Sequence, residues 1–299
     1  MSGKRVDTRE RPPSPGRYVR RLRVDGLYRH YILDVPEGVQ GTTPMPLILG
    51  FHGGGATPQG FAGVTKLSET AGRNGIITAY PAGYKRSWNG GDTGGPARRE
   101  GIDDVRFVRI LLDNLSSILS IDQRRVFATG WSNGGKLAFR LACEMSEQIA
   151  AVAVVGSGLG VECSPVRPVP VLMFHGTADT FCPYEGGEGT DPVARGISQS
   201  GAQKTFQRWV RLNGCEGPPE VTYHNGAAKA ITYTDCHDGA TVTLCTIERM
   251  GHQWPGKTIP DTISGLSSWL KRLGPGTDDV DATTMIVSFF LKHSISPSS

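Results

Sequence analysis

The spacing of apolar positions changes repeatedly along the chain, and each change marks an element. From Tyr28 to Val35 apolar and polar residues alternate, which predicts an edge strand stopped by Pro36. Residues 46–51 (PLILGF) form a continuous apolar run ending at His52-Gly53-Gly54-Gly55, the pattern of a strand buried on both faces that feeds a glycine loop. A helix over 66–74 and a strand over 76–80 come next, then a polar, glycine-rich loop from Pro81 to Gly101. Val105, Val108, Leu111, Leu115 and Ile118 recur at helical spacing and predict a helix over 103–118. The same reading gives strands over 126–129, 150–155, 169–174, 220–224 and 241–247, and helices over 135–145, 202–212 and 282–291.

Strand and helix alternate, and the strands are too continuously apolar for burial on one side. An α/β fold follows, with a mostly parallel central sheet flanked by helices on both faces. A chain of 299 residues suits one large domain of this kind. No repeat or linker divides it: residues 1–16 read as a disordered tail and 17–299 as a single catalytic domain.

Composition changes this picture little. Hydrophobic residues at 38% and charged residues at 20% are those of an ordinary globular chain. The net charge of +4 is uneven, because Lys4, Arg5, Arg9, Arg11, Arg17, Arg20, Arg21 and Arg23 crowd the start. Such an arm could meet an anionic surface, but Pro12, Pro13 and Pro15 suit a solvated tail. Beyond it no dense basic patch points to nucleic acid. No stretch approaches the roughly 20 apolar residues of a membrane span. The start also lacks the apolar core of a secretory signal, which fits a cytoplasmic protein or one whose leader has been removed. The six cysteines contain no CxxC pair, so a metal cluster is not expected.

The sharpest chemical signal is Gly130-Trp131-Ser132-Asn133-Gly134, set between a predicted strand and a predicted helix. A nucleophilic serine must be raised on a tight turn, and the residues two before and two after it must be small where the two backbones converge. An ordinary strand-to-helix turn can carry the same letters, so its partners matter. A serine nucleophile needs a base, and the base an orienting carboxylate. Asp179 and His252 each follow a predicted strand and stand in the order Ser, Asp, His. Asp191 is the lesser rival for the acid, while Asp103 and Asp104 precede the serine and read as helix caps. Among the other histidines, His175 reads as packed against its own loop, His52 as shaping the glycine loop, and His224 and His237 as surface residues. The oxyanion hole would use the N–H of Asn133 and one from Gly53 or Gly54.

Taken together, these segments resemble the family of secreted polyhydroxybutyrate depolymerase-like and feruloyl-type esterases. The resemblance runs from about Tyr18 to His293. It rests on the 52–55 loop, Tyr80-Pro81-Ala82-Gly83 with Trp88-Asn89, Asp103-Asp104-Val105, the Ser132 turn with Gly135, His175-Gly176-Thr177-Ala178-Asp179 with Pro183-Tyr184, and Gly251-His252-Gln253-Trp254-Pro255-Gly256. Asp281-Ala282-Thr283 with Phe289-Phe290 resembles the family's closing helix. The resemblance implies the α/β-hydrolase fold, a Ser132–His252–Asp179 triad, disulfides Cys143–Cys163 and Cys215–Cys236, and export. Cys182 stands where these proteins more often have an aliphatic residue.

The expected reaction is ester hydrolysis through an acyl-enzyme, with no metal or organic cofactor. Feruloyl or acetyl esters of plant polysaccharide are the first substrate expectation, and polyhydroxyalkanoate the second. A peptidase, or a non-catalytic binder on the same fold, are the rivals. Trp88, Tyr184 and Trp254 are candidates to line the substrate pocket, though core packing would suit each equally. Loops 84–101 and 183–201 are expected to set its shape.

Overall fold

Ten strands join in one sheet in the order β1 (Gly16–Val24), β2 (Leu27–Val35), β4 (Ile77–Pro81), β3 (Met45–Phe51), β5 (Ile121–Trp131), β6 (Ala151–Val155), β7 (Val171–Gly176), β12 (Val242–Ile247), β11 (Ala228–Tyr233) and β10 (Glu220–Asn225). The computed structural model describes residues 14–38, 43–92, 94–256 and 272–296. Most of the expected tail, with Lys4, Arg5, Arg9 and Arg11, therefore lies outside the described residues. The centre of the sheet from β4 to β12 is parallel, and antiparallel strands extend it at both ends. A separate two-stranded ribbon, β8 (Gly186–Glu188) with β9 (Ser198–Ser200), follows β7.

Each central strand is buried on both faces, so alternate side chains enter two cores. Leu47, Leu49, Val152 and Val154 meet helices α4 (Asp104–Ile118), α5 (Asn133–Glu144) and α6 (Ala202–Leu212) on one side. Ile48, Ala153 and Val155 meet α1 (Pro58–Thr65), α2 (Leu67–Arg73) and α7 (Ala282–Phe290) on the other. The short helix α3 (Pro96–Arg99) lies in the long polar loop. This is the α/β-hydrolase arrangement, as expected.

Three details differ from the expectation. Strand β1 begins at Gly16 and pairs along the whole of β2, so the segment expected at the sheet's edge is its second strand. Its outward face carries Arg17, Val19, Arg21 and Arg23, and this charge hides a real alternation with Tyr18, Leu22 and Val24. Helix α1 was not foreseen; Thr57 caps it by accepting the Gly60 N–H at 3.1 Å, and Pro58 opens its first turn. Asp104 is no cap, for Asp103 accepts the Arg106 N–H, while Asp104 is buried and bonded to Arg29 at 2.7 Å. Cys143–Cys163 and Cys215–Cys236 are the bonded pairs, and Cys182 and Cys245 are buried free thiols.

Candidate active site

β5 ends at Trp131 and α5 begins at Asn133, so the chain reverses on Ser132 alone. The turn puts Ser132 at φ 56° and ψ −120°, a conformation that an L-residue adopts only when its surroundings enforce it. The flanking glycines show how. A Cβ on Gly130 would overlap the Gly134 backbone, and one on Gly134 would overlap the carbonyls of Phe51 and His52. Strand, helix and glycine loop thus meet backbone to backbone. Ser132 N–H donates to Val155 O at 2.9 Å, which fixes the turn to β6.

Asp179 sits just beyond β7, and His252 beyond β12. Since these strands are parallel neighbours, their C-terminal loops lie side by side. Ala178 N–H donates to Met250 O at 2.9 Å and Arg249 N–H to Thr177 Oγ1 at 2.8 Å, lacing the loops together. His252 Nδ1 is 2.7 Å from Asp179 Oδ2. The other carboxylate oxygen accepts the N–H groups of Phe181 and Cys182 at 2.9 and 2.8 Å. Burial works to raise the Asp179 carboxyl, but the His252 and His175 rings and the Cys182 N–H outweigh it and hold it below its ordinary value. Phe181 stacks on His252 with ring centroids 5.0 Å apart. Ser132 and His252 both line one cleft of about 370 Å³.

Asn133, Gly53 and Gly54 line the same cleft. Of the three glycines in the loop, Gly55 has its N–H committed to Arg86 O at 2.8 Å. His52 holds the loop from behind. Gly83 N–H donates to His52 Nε2 at 3.0 Å, so the proton sits on Nδ1 and is donated to Gly53 O at 2.8 Å. Burial lowers the His52 pKa to about 4 and keeps this neutral tautomer. The Asn133 side chain accepts from Trp88 N–H and donates to Trp88 O, tying the turn to the long loop.

Trp88, Tyr184 and Trp254 do not line this cleft. Trp88 donates its ring N–H to His52 O, Trp254 to Thr283, and the Tyr184 hydroxyl pairs with Thr246; all three are buried. They support the site's loops from within the core, the alternative weighed for them. The walls come instead from Trp131, Phe181, Val193, Ala194, Ile197 and Leu273. Asp191 is held by Arg272 and the Val193 N–H, away from the His252 bond. His175 binds Cys182 O at 2.6 Å, packing its own loop.

Two residues beside the site were not assigned to it from the sequence, although Cys182 was noted there as a departure from the family. Gly156, at φ +56°, ends β6 where a Cβ would stand 3.0 Å from His252 Nδ1 and 3.3 Å from Asp179 Oδ2. A glycine after a strand gives no hint that two distant loops will fill its Cβ position. Cys182 lies beside the Ser132 hydroxyl, and burial pushes its thiol far above the ordinary range, so it stays protonated.

No protein-family model matches the chain. It is 30% identical over 234 residues to feruloyl esterase B of Piromyces equi, covering 75% of this chain but only 42% of that protein's length. With feruloyl esterase C of Emericella nidulans it shares 28% identity over 228 residues, 71% of this chain and 77% of that one. In sequence the chain is thus similar to the feruloyl-type esterases, at 28 to 30% identity. A putative esterase of Nocardia uniformis subsp. tsuyamanensis is 29% identical over 260 residues, 81% of this chain and 75% of that one. Solved structures agree on the fold. An acetyl xylan esterase from Aspergillus awamori matches at TM-score 0.58 and 14% identity over 79% of this chain and 94% of its own. Thermogutta terrifontis esterase 2 phosphorylated by paraoxon matches at TM-score 0.53 and 17% identity over 88% and 92%.

Proposed function

We propose that the chain hydrolyses carboxylic esters by acyl transfer to Ser132, with His252 as base and Asp179 as its orienting acid. The observation that carries this reading is the convergence of the strained Ser132 turn and the Asp179–His252 pair on one cleft that Gly53 and Gly54 also line. Because Asp179 engages Nδ1, the nitrogen left for the Ser132 proton is Nε2. The hydroxyl oxygen attacks the ester carbonyl as Nε2 takes its proton. The resulting oxyanion is held by the Asn133 N–H and by Gly53 or Gly54. His252 then gives its proton to the departing alcohol. Water, deprotonated in turn by His252, releases the acid and restores Ser132.

Feruloyl or acetyl esters of plant polysaccharide are the substrates this reading favours. The flat rings of Trp131 and Phe181 and the aliphatic walls of Val193, Ile197 and Leu273 suit a planar aromatic acyl group. Two disulfides fit an oxidising, extracellular setting. The test is hydrolysis of p-nitrophenyl acetate, p-nitrophenyl butyrate and methyl ferulate by wild type and Ser132→Ala, with paraoxon labelling of both. Turnover and labelling that vanish in the folded variant support the proposal. Activity that survives in Ser132→Ala overturns the nucleophile, and an inactive, unlabelled wild type would point to a binder.

A further inference from the structure

The cleft does not end at Ser132. A second cavity of about 230 Å³, lined in part by Val19, His30, Gln59 and His52, shares Ala56 and Arg86 with it. Arg86 therefore lines both cavities. Beyond the second cavity lies the outward face of the β1–β2 hairpin, where the register sets Val19 opposite Ile32, Arg21 opposite His30 and Arg23 opposite Tyr28. Tyr28 is 61% exposed, and the Arg21 guanidinium lies over its ring at 4.9 Å.

Charge along this path has one sign. Neither cavity has a carboxylate in its lining among the described residues. Lys85 and Lys136 at the cleft are already neutralised by Glu100 and Asp92. Arg86 has no acidic partner among the described residues. It sits on a tight turn closed by the Tyr84–Ser87 bridge, with Lys85 at φ 46° and Arg86 at φ 60°. Two successive non-glycine residues in the left-handed region need a reason. Here the turn presents Arg86 to both cavities while its carbonyl holds the Gly55 N–H. The apolar walls lie in the segment of Phe181, Val193 and Ile197, so cation and apolar surface come from different loops.

We propose that the two cavities act as one groove that binds the alcohol side of the substrate as an acidic saccharide chain, with Arg86 between them and the Arg21–Tyr28–His30 face beyond. A uronate carboxylate matches the forked donors of arginine, and the exposed Tyr28 ring offers a face on which a sugar can stack. The assignment of the alcohol side rests on the esterase reading above; binding of the saccharide by the groove does not.

The test uses both dependencies. Ser132→Ala is titrated calorimetrically with oligogalacturonate, with a neutral xylo-oligosaccharide of equal length and with polyglutamate, and again carrying Arg21→Gln and Arg86→Gln. Loss of two charge-assisted contacts should weaken oligogalacturonate binding about tenfold and leave its affinity near that of the neutral sugar. Raised salt should narrow the same gap. In turnover, the active enzyme carrying both glutamine substitutions should lose its preference for a feruloylated acidic oligosaccharide over a neutral one. Equal affinity for acidic and neutral sugars, indifference to the two substitutions, or polyglutamate binding as tight as oligogalacturonate would each overturn the groove. Failure to hydrolyse methyl ferulate would overturn the esterase reading instead, since the calorimetry needs no turnover.

Discussion

Single atoms decide this site, and Gly156 shows it most clearly. Its missing Cβ leaves the space in which His252 and Asp179 meet, and its φ of +56° is one that an alanine would resist. Gly156→Ala is therefore expected to push His252 and Asp179 apart. A shift of about 1 Å in such a pair costs on the order of 100-fold in kcat. The check is kcat on p-nitrophenyl butyrate together with a circular-dichroism melt; a folded variant within about twofold of wild type would show that the pair tolerates the methyl. Cys182 makes the complementary point. Burial keeps its thiol protonated where it lies beside the Ser132 hydroxyl.

Among elements, α5 matters most, since its first residue follows Ser132. Gly130 and Gly134 let it approach β5 and β3, while Cys143 near its other end is bonded to Cys163 beyond β6. Cys215–Cys236 does the same between the end of α6 and the segment after β11. The bonds span 20 and 21 positions, and loops of that length restrict the unfolded chain by about 3 kcal/mol each. Urea unfolding of the Cys143→Ser/Cys163→Ser double variant should show a loss of that order, and no change in midpoint would mean the helix is held by packing alone. The Arg29–Asp104 pair joins β2 to α4 inside the core, with the guanidinium also over Phe107 at 4.0 Å. Burial dominates there and raises the Asp104 carboxyl despite Arg29.

Over the whole molecule, burial of neutral histidines sets the response to acid. Burial lowers the pKa of His52 and of His293 to about 4, and that of His175 falls for the same reason. Unfolded, each would titrate near 6.5. The folded state thus binds fewer protons between these values. The stability contributed by neutral burial is complete above about pH 6.5 and drains away as the pH falls toward 4. The depressed carboxyl of Asp179 acts lower, losing its contribution below about pH 4. Urea midpoints measured from pH 7.5 to 4 should fall steadily, and His52→Gln should flatten that fall by on the order of 3 kcal/mol. An unchanged slope in the variant would mean that His52 is not neutral in the fold. In the folded protein His52 protonates only near pH 4, which would deprive the Gly83 N–H of its acceptor, so activity should fall there as the glycine loop loosens.

The sequence alone determined what depends on local order: apolar runs long enough to be two-sided strands, the glycines around Ser132, and the chain order of Ser132, Asp179 and His252. Those features are set by backbone sterics and by strand and helix period, which act between near neighbours. Only the tertiary structure decided which side chains face the cleft. Trp88, Tyr184 and Trp254 were candidates by their motifs, yet the paths of their loops turn all three inward, where each side chain's polar atom finds a partner in the core. Strand β1 was hidden because its outward face is arginine, and alternation shows only when the buried partner strand is known. Gly156 and Arg86 gained meaning in the same way. What occupies the space beside a residue is fixed by loops distant in sequence, and no local pattern records it.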